Sequence, residues 1–175
     1  LQLFYLAGMS FLFFLIFSIG SIHAENLKTY KGIILTSNLL ASKAEDEVIK
    51  NGGNAIDASI AVQLVLTLTE PQATGIGGGA FMLYWDADKA KLFSIDGREK
   101  APSKAGEDLF LNKDGTKIKF YPDAVVGPKS VGVPGIIKLL EEAHKKFGKL
   151  EWAELFDYAI ELSKNGFLIS PALHN

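Results

Sequence analysis

The stretch that decides how this chain folds runs from Glu70 to Pro102, EPQATGIGGGAFMLYWDADKAKLFSIDGREKAP. Gly75, Gly77, Gly78 and Gly79 lead into an apolar run, Phe81 to Trp85. A polar turn, Asp86-Ala87-Asp88-Lys89, and a second apolar run, Leu92 to Ile95, come next. Two short strands joined by a tight reversal fit that pattern. The glycines let the backbone adopt positive φ and let another chain segment or a ligand approach closely, where any Cβ would collide. Gly75-x-Gly77-x-x-Ala80 has the spacing of a dinucleotide fingerprint, but that fingerprint follows a strand and opens a helix. Here a helical segment precedes the glycines and a strand follows them, so nucleotide binding is rejected.

The second strand ends in Asp96-Gly97-Arg98-Glu99. Arg98 is the residue singled out for chemistry, because its guanidinium is always charged and presents a planar fork that fits a carboxylate. Such a contact contributes roughly 1.5 to 3 kcal/mol. The competing reading is a local surface pair with Asp96 or Glu99, which spacing alone favours, since most exposed pairs are incidental.

With 175 residues, 48% of them hydrophobic and 22% charged, there is apolar material for one core. A formal charge of −2, with no basic helix face, argues against nucleic acid as a partner. The lack of cysteine excludes disulfides, thiolate metal sites and a cysteine nucleophile. His23, His144 and His174 have no metal-ligand spacing, and neither a metal nor a cofactor is expected.

Leu1 to Ala24 carries no charged residue other than histidine and ends in small residues before Glu25. Residues 1–24 read as a secretory signal peptide, with an uncleaved membrane anchor as the alternative, and residues 25–175 as one exported domain or part of one. Neither Leu1 nor Asn175 resembles a natural terminus. Lys31 to Thr36 predicts a strand. Ser37 is then the expected cap of an amphipathic helix that Gly52 and Gly53 end. Asn54 and Asp57 have capping-box spacing, which favours a structural role for Asp57 over a catalytic one. From Ala58 to Leu68 the helix should be buried nearly all round. Gly106 to Lys119 predicts a surface excursion with a turn. A helix is expected to start at Pro134, with Ile136, Ile137, Leu139, Leu140, Ala143 and Phe147 inward and His144 in solvent. Another, from Glu151 to Lys164, should bury Trp152, Leu155, Phe156, Ala159, Ile160 and Leu162.

The blocks Gly52-Gly53-Asn54-Ala55-Ile56-Asp57-Ala58, Glu70-Pro71-Gln72, Gly75-Ile76-Gly77-Gly78-Gly79 and Asp96-Gly97-Arg98-Glu99-Lys100-Ala101-Pro102 together resemble the N-terminal part of the γ-glutamyltranspeptidase (glutathione hydrolase) family. The likeness continues through Ser130-Val131-Gly132-Val133-Pro134-Gly135 and Asn165-Gly166-Phe167. It implies an α/β (α+β) class and an N-terminal-nucleophile hydrolase fold with αββα layers, incomplete in this stretch. The implied protein is a longer self-cleaving precursor, periplasmic or extracellular, touching a membrane only through an uncleaved leader. Its activity would be γ-glutamyl transfer from glutathione or similar amides to water or amino acids. The nucleophile would be the N-terminal threonine of a downstream small subunit, the implied partner. Thr29, Thr36, Thr67, Thr69, Thr74 and Thr116 follow no recognisable self-cleavage site, so this stretch is expected to be inactive alone. By resemblance Arg98 grips the substrate α-carboxylate and Glu99 orients it, which reverses the reading from spacing. A related dicarboxylic acyl-amide (cephalosporin) acylase and a non-catalytic exported binding module are the alternatives.

Overall fold

Asn38 starts the first helix, α1 (Leu39–Lys50): its Oδ1 accepts from the Leu40 N–H at 2.9 Å, satisfying a donor that the helix start leaves without a partner. The cap therefore falls one residue after the expected Ser37. The computed structural model describes residues 33–174, so the leader 1–24 and the start of the strand expected over 31–36 lie outside them. Ile33 to Thr36 belongs to no strand, and Ile33 and Leu35 stand exposed. A strand needs a neighbour to pair its N–H and C=O groups. The sheet among the described residues is a hairpin that leaves this segment unpaired.

Helix α1 packs Ala41, Ala44 and Val48 against α2 (Ala55–Thr69), and Gly52 takes φ +90° in the turn between them. The expected capping box is present. Asn54 Oδ1 accepts from the N–H groups of Ile56 and Asp57, and Asp57 Oδ2 accepts from Asn54 N–H at 3.0 Å. Asp57 is wholly buried, and its oxygens also accept from Lys149 N–H at 3.1 and 3.0 Å and from Leu150 N–H at 3.4 Å. One carboxylate thus ties the start of α2 to a segment far along the chain. Ile56, Ile60, Val62, Leu64 and Val65 are buried along α2, each contributing roughly 1.5–3 kcal/mol.

The two expected strands are β1 (Ala80–Asp86) and β2 (Lys91–Gly97), antiparallel, with Met82 opposite Ile95 and Tyr84 opposite Phe93. The loop is Ala87–Ala90 rather than Asp86–Lys89. Asp86 closes the strand and accepts from Lys89 N–H and Nζ at 3.1 and 2.8 Å. Because side chains alternate across the sheet, Met82, Tyr84, Phe93 and Ile95 face the helices. Phe81, Leu83, Trp85 and Leu92 stand exposed on the other face.

Gly106 to Lys119 is the expected excursion, closed by an antiparallel bridge between Leu111 and Lys117 around Gly115 at φ +81°. Helix α3 (Ile136–Phe147) begins two residues after Pro134, because Val133 pairs with Lys100 in a bridge with hydrogen bonds of 2.8 and 3.2 Å. It buries Ile136, Leu139, Leu140 and Ala143, while Ile137 is exposed. Phe147 sits against Tyr84 and Phe93 at centroid distances of 4.6 and 4.9 Å. The helix expected from Glu151 splits into a tight turn, Trp152–Phe156, and α4 (Asp157–Asn165), leaving Ile160 exposed. A short α5 (Pro171–His174) follows. The described fold is therefore mixed, helices around one small sheet, and no helix among the described residues is long and apolar enough to cross a membrane.

His144 departs from expectation. Its side chain is 17% exposed, its Nε2 lies 2.8 Å from the Leu150 carbonyl, and its ring meets Trp152 at 5.2 Å. The chain after Gly148 folds back over it, which its charged sequence neighbours do not reveal.

Replacing Asp57 by alanine should cost roughly 3 kcal/mol, because the N–H groups of residues 54, 149 and 150 lose their acceptor together. Urea unfolding of the variant beside the parent measures it.

Candidate functional site

The site is built where three backbones meet without side chains between them. A Cβ on Gly79 would lie 2.7 Å from the Gly97 carbonyl oxygen and from Glu99 Oε2, and 2.9 Å from Arg98 Cα. A Cβ on Gly97 would lie 2.5 Å from Leu139 Cβ, and one on Gly135 would overlap the Gly97 carbonyl. The Gly78 carbonyl accepts from the N–H groups of Gly135 and Ile136 at 3.0 and 3.2 Å. Those are donors at the start of α3, which has no side-chain cap. The glycine loop therefore caps that helix with its own backbone. None of Gly75, Gly77, Gly78 and Gly79 has positive φ, so close approach at Gly79, and not backbone handedness, is what requires glycine there. Gly75 and Gly77 have open space where a Cβ would go.

On this platform the end of β2 carries Arg98 and Glu99. The Arg98 side chain is 71% exposed, and its Nε lies 3.3 Å from Glu99 Oε2. The Asp96 carboxylate is turned instead to the Arg98 backbone, accepting its N–H at 2.9 Å. Among the described residues the two Nη groups of Arg98 make no hydrogen bond, which leaves the outer edge of the fork free. Arg98 lines a cleft of about 240 Å³ between the end of β2 and the start of α3, with Lys100, Pro134, Lys138 and Glu142. Glu99 lines a different hollow, about 450 Å³, with the glycine loop, Gln63 and Gln72. The structure thus brings the two sequence-selected residues into contact and has them face separate concavities.

The far wall of the Arg98 cleft is charged but internally paired. Lys138 Nζ donates to Glu141 Oε2 at 2.8 Å and to Glu142 Oε1 at 2.9 Å, and Lys145 reaches the other Glu141 oxygen at 2.5 Å. The hydrogen bonds from Lys138 and Lys145 hold the Glu141 carboxyl down at about 2, and those same acids push Lys138 up. Arg98 and Lys100 are the cleft's cations outside that network.

The described threonines are all committed locally. Thr36, Thr67 and Thr69 donate to backbone carbonyls, Thr74 receives Gln63 Nε2 at 2.7 Å, and Thr116 bonds Asp114 at 2.6 Å. Among the described residues no group of histidines and acids is placed to hold a metal ion. The site feature that the sequence did not single out is the Glu70 side chain, buried at the exit of α2, with Asn38 and Gln72 as its partners.

The sequence and the fold both match proteins of one kind. The family model described as Gamma-glutamyltranspeptidase matches residues 41–175. The glutathione hydrolase proenzyme of Bacillus subtilis (strain 168) is 43% identical over 142 residues, 81% of this chain and 24% of that protein. The acylase ACY 1 proenzyme of Pseudomonas sp. (strain V22) is 39% identical over 149 residues, 83% of this chain and 26% of its own length. The solved γ-glutamyltranspeptidase from Pseudomonas nitroreducens, complexed with L-DON, superposes with a TM-score of 0.74 at 38% identity, covering 82% of this chain and 42% of that one. The chain belongs to the γ-glutamyltranspeptidase family. It spans about a quarter of the length of the curated relatives it matches.

Two outcomes are expected. Gly79→Ala should lower stability by about 1–3 kcal/mol through its contacts with Glu99 and the Gly97 carbonyl, while Gly75→Ala should stay within about 0.5 kcal/mol, both read as melting temperatures. The second concerns acid. A carboxyl held below its ordinary value stabilises the fold above that value, and the contribution is lost as pH falls through the folded one. The Glu141 contribution should therefore disappear as pH drops from the usual 4.5 to about 2. Glu141→Gln should flatten that part of the stability profile, and about 1 M salt should shrink the difference, because the pairs are on the surface.

Proposed function

We propose that this chain is the N-terminal part of a self-cleaving γ-glutamyltransferase and glutathione hydrolase precursor, and that it supplies the grip on the donor's α-carboxylate. The observation that carries the reading is Arg98: it follows Asp96-Gly97 at a cleft, with the outer edge of its fork unpaired among the described residues. A carboxylate on that edge makes two parallel charge-assisted hydrogen bonds, while Glu99 at Nε fixes the plane of the fork. Bound there, a glutamyl group has its γ-carbonyl extended away from the arginine for a nucleophile to attack.

That nucleophile is assigned to the N-terminal threonine of a downstream small subunit. Its hydroxyl adds to the γ-carbonyl with its own α-amine taking the proton, the amine of the donor leaves, and the ester is then opened by water or an amino acid. Since no threonine of the chain follows a recognisable self-cleavage site, the chain alone is expected to be inactive. The exposed apolar face of the hairpin, Phe81, Leu83, Trp85 and Leu92, supports an αββα arrangement completed by the rest of the precursor, because such a stripe is costly to leave in water. The apolar leader over residues 1–24 supports export, periplasmic or extracellular, with either a cleaved signal or an anchor.

The likeness to the ACY 1 proenzyme favours, as a second reading, hydrolysis of a dicarboxylic acyl amide at the same site. Comparing rates of the complete protein on γ-glutamyl and glutaryl amides separates the two.

Arg98→Lys in the complete protein should raise KM for γ-glutamyl substrates by about tenfold or more, because a point charge replaces the fork. Steady-state kinetics measures it, and an unchanged KM would remove Arg98 from substrate binding.

A further inference from the structure

Glu70 is held at a cost that the end of a helix does not require. It is 9% exposed and stands at the C-terminal end of α2, where the last carbonyls make the helix negative. Among the described residues no lysine, arginine or histidine pairs with it. Its side-chain partners are two neutral amides, Asn38 Nδ2 donating to Oε1 at 2.9 Å and Gln72 Nε2 donating to Oε2 at 2.6 Å. A buried carboxylate without a cation is costly unless hydrogen bonds compensate it.

What they hold is the entrance to the glycine loop. The Glu70 backbone carbonyl accepts from the N–H groups of Ala73 and Thr74 at 3.0 and 2.9 Å, and Gln63 Nε2 donates to Thr74 Oγ1 at 2.7 Å. The far end of the loop is fixed where Gly78 caps α3. Between these anchors Gly75 and Gly77 touch nothing at the position of a side chain, so the course of the loop is set at its two ends. At the far end lies Gly79, directly under Glu99 and Arg98. A shift at the Glu70 end therefore reaches the floor on which the arginine stands.

We propose that Glu70 is a positioning residue for Arg98, acting through the loop from Pro71 to Gly79, an inference that rests on the reading of Arg98 as the carboxylate-binding group. Glu70 does not touch substrate. It fixes the loop against α1 through Asn38 and against its own turn through Gln72, and the loop fixes Glu99, which holds the guanidinium.

The test is a double-mutant cycle in the complete, matured enzyme with a γ-glutamyl anilide as probe. Glu70→Gln keeps the volume but cannot accept from both amides, and should raise KM about three- to tenfold with kcat within about twofold. In the Arg98→Lys background the same change should add less than about twofold, because the grip it supports is already gone. Gln72→Ala removes one donor from an exposed position, so it is expected to fold and to raise KM by a smaller factor. Equal rises in both backgrounds would overturn the proposal, as would a Glu70→Gln enzyme that melts earlier with an unchanged KM. Should Glu70→Gln not fold, the Gln72→Ala cycle decides, and an unchanged KM there overturns it. An unchanged KM in Arg98→Lys alone would overturn the reading of Arg98 and this inference with it; a raised KM there beside an unchanged one in Glu70→Gln overturns only the inference.

Discussion

The contact among Gly79, Gly97 and Gly135 is the constraint from which the rest of this architecture follows. Three backbone segments, the loop before β1, the end of β2 and the start of α3, come so close that a methyl group on any of them meets a neighbour. Such proximity lets the Gly78 carbonyl take the first donors of α3 and lets Leu139 rest on the strand end. The arginine that follows Gly97 leaves the sheet at this junction, with a helix start on one side and the glycine loop on the other. Its location is thus fixed by the backbone, and Glu99 Oε2 lies 3.3 Å from its Nε.

Two of the buried carboxylates tie the ends of α2 to its neighbours. Asp57 joins the first turn of α2 to the segment after α3, and Glu70 joins the last turn of α2 to the cap of α1 and to the glycine loop. They sit at opposite ends of the most buried helix. Asp57 faces backbone N–H groups at a positive helix end, an arrangement that favours a carboxylate. Glu70 faces neutral amides at a negative end and lacks that complement.

Much of this was readable in the sequence where the signal is local. The Asn54 and Asp57 box, the strand run from Phe81 to Trp85 and the glycine stop at Gly52 are set by near neighbours in the chain. The remainder depends on partners distant in sequence. The glycine cluster announced a close approach without naming Gly97 or Gly135. Charged neighbours put His144 in water because nothing local shows that Leu150 and Trp152 return over it. The run at 33–36 looked like a strand because composition does not say whether a neighbouring strand is present. Arg98 was singled out from its charge and its flanking block, and it lines the cleft at the end of β2. Glu70, lying in no periodic pattern and bonded to Asn38, gave no local sign of its task.

The outward row of the hairpin also has a spectroscopic meaning. Of the chain's two tryptophans, Trp152 packs between His144 and Phe156, whereas Trp85 stands 58% exposed beside Leu92. An indole in water emits at longer wavelength than one shielded from it, and the two sit in unlike surroundings. Trp85 is therefore a built-in optical reporter on the open side of the ribbon, sensitive to whatever comes to lie against it, while Trp152 supplies a reference signal from the interior of the same molecule.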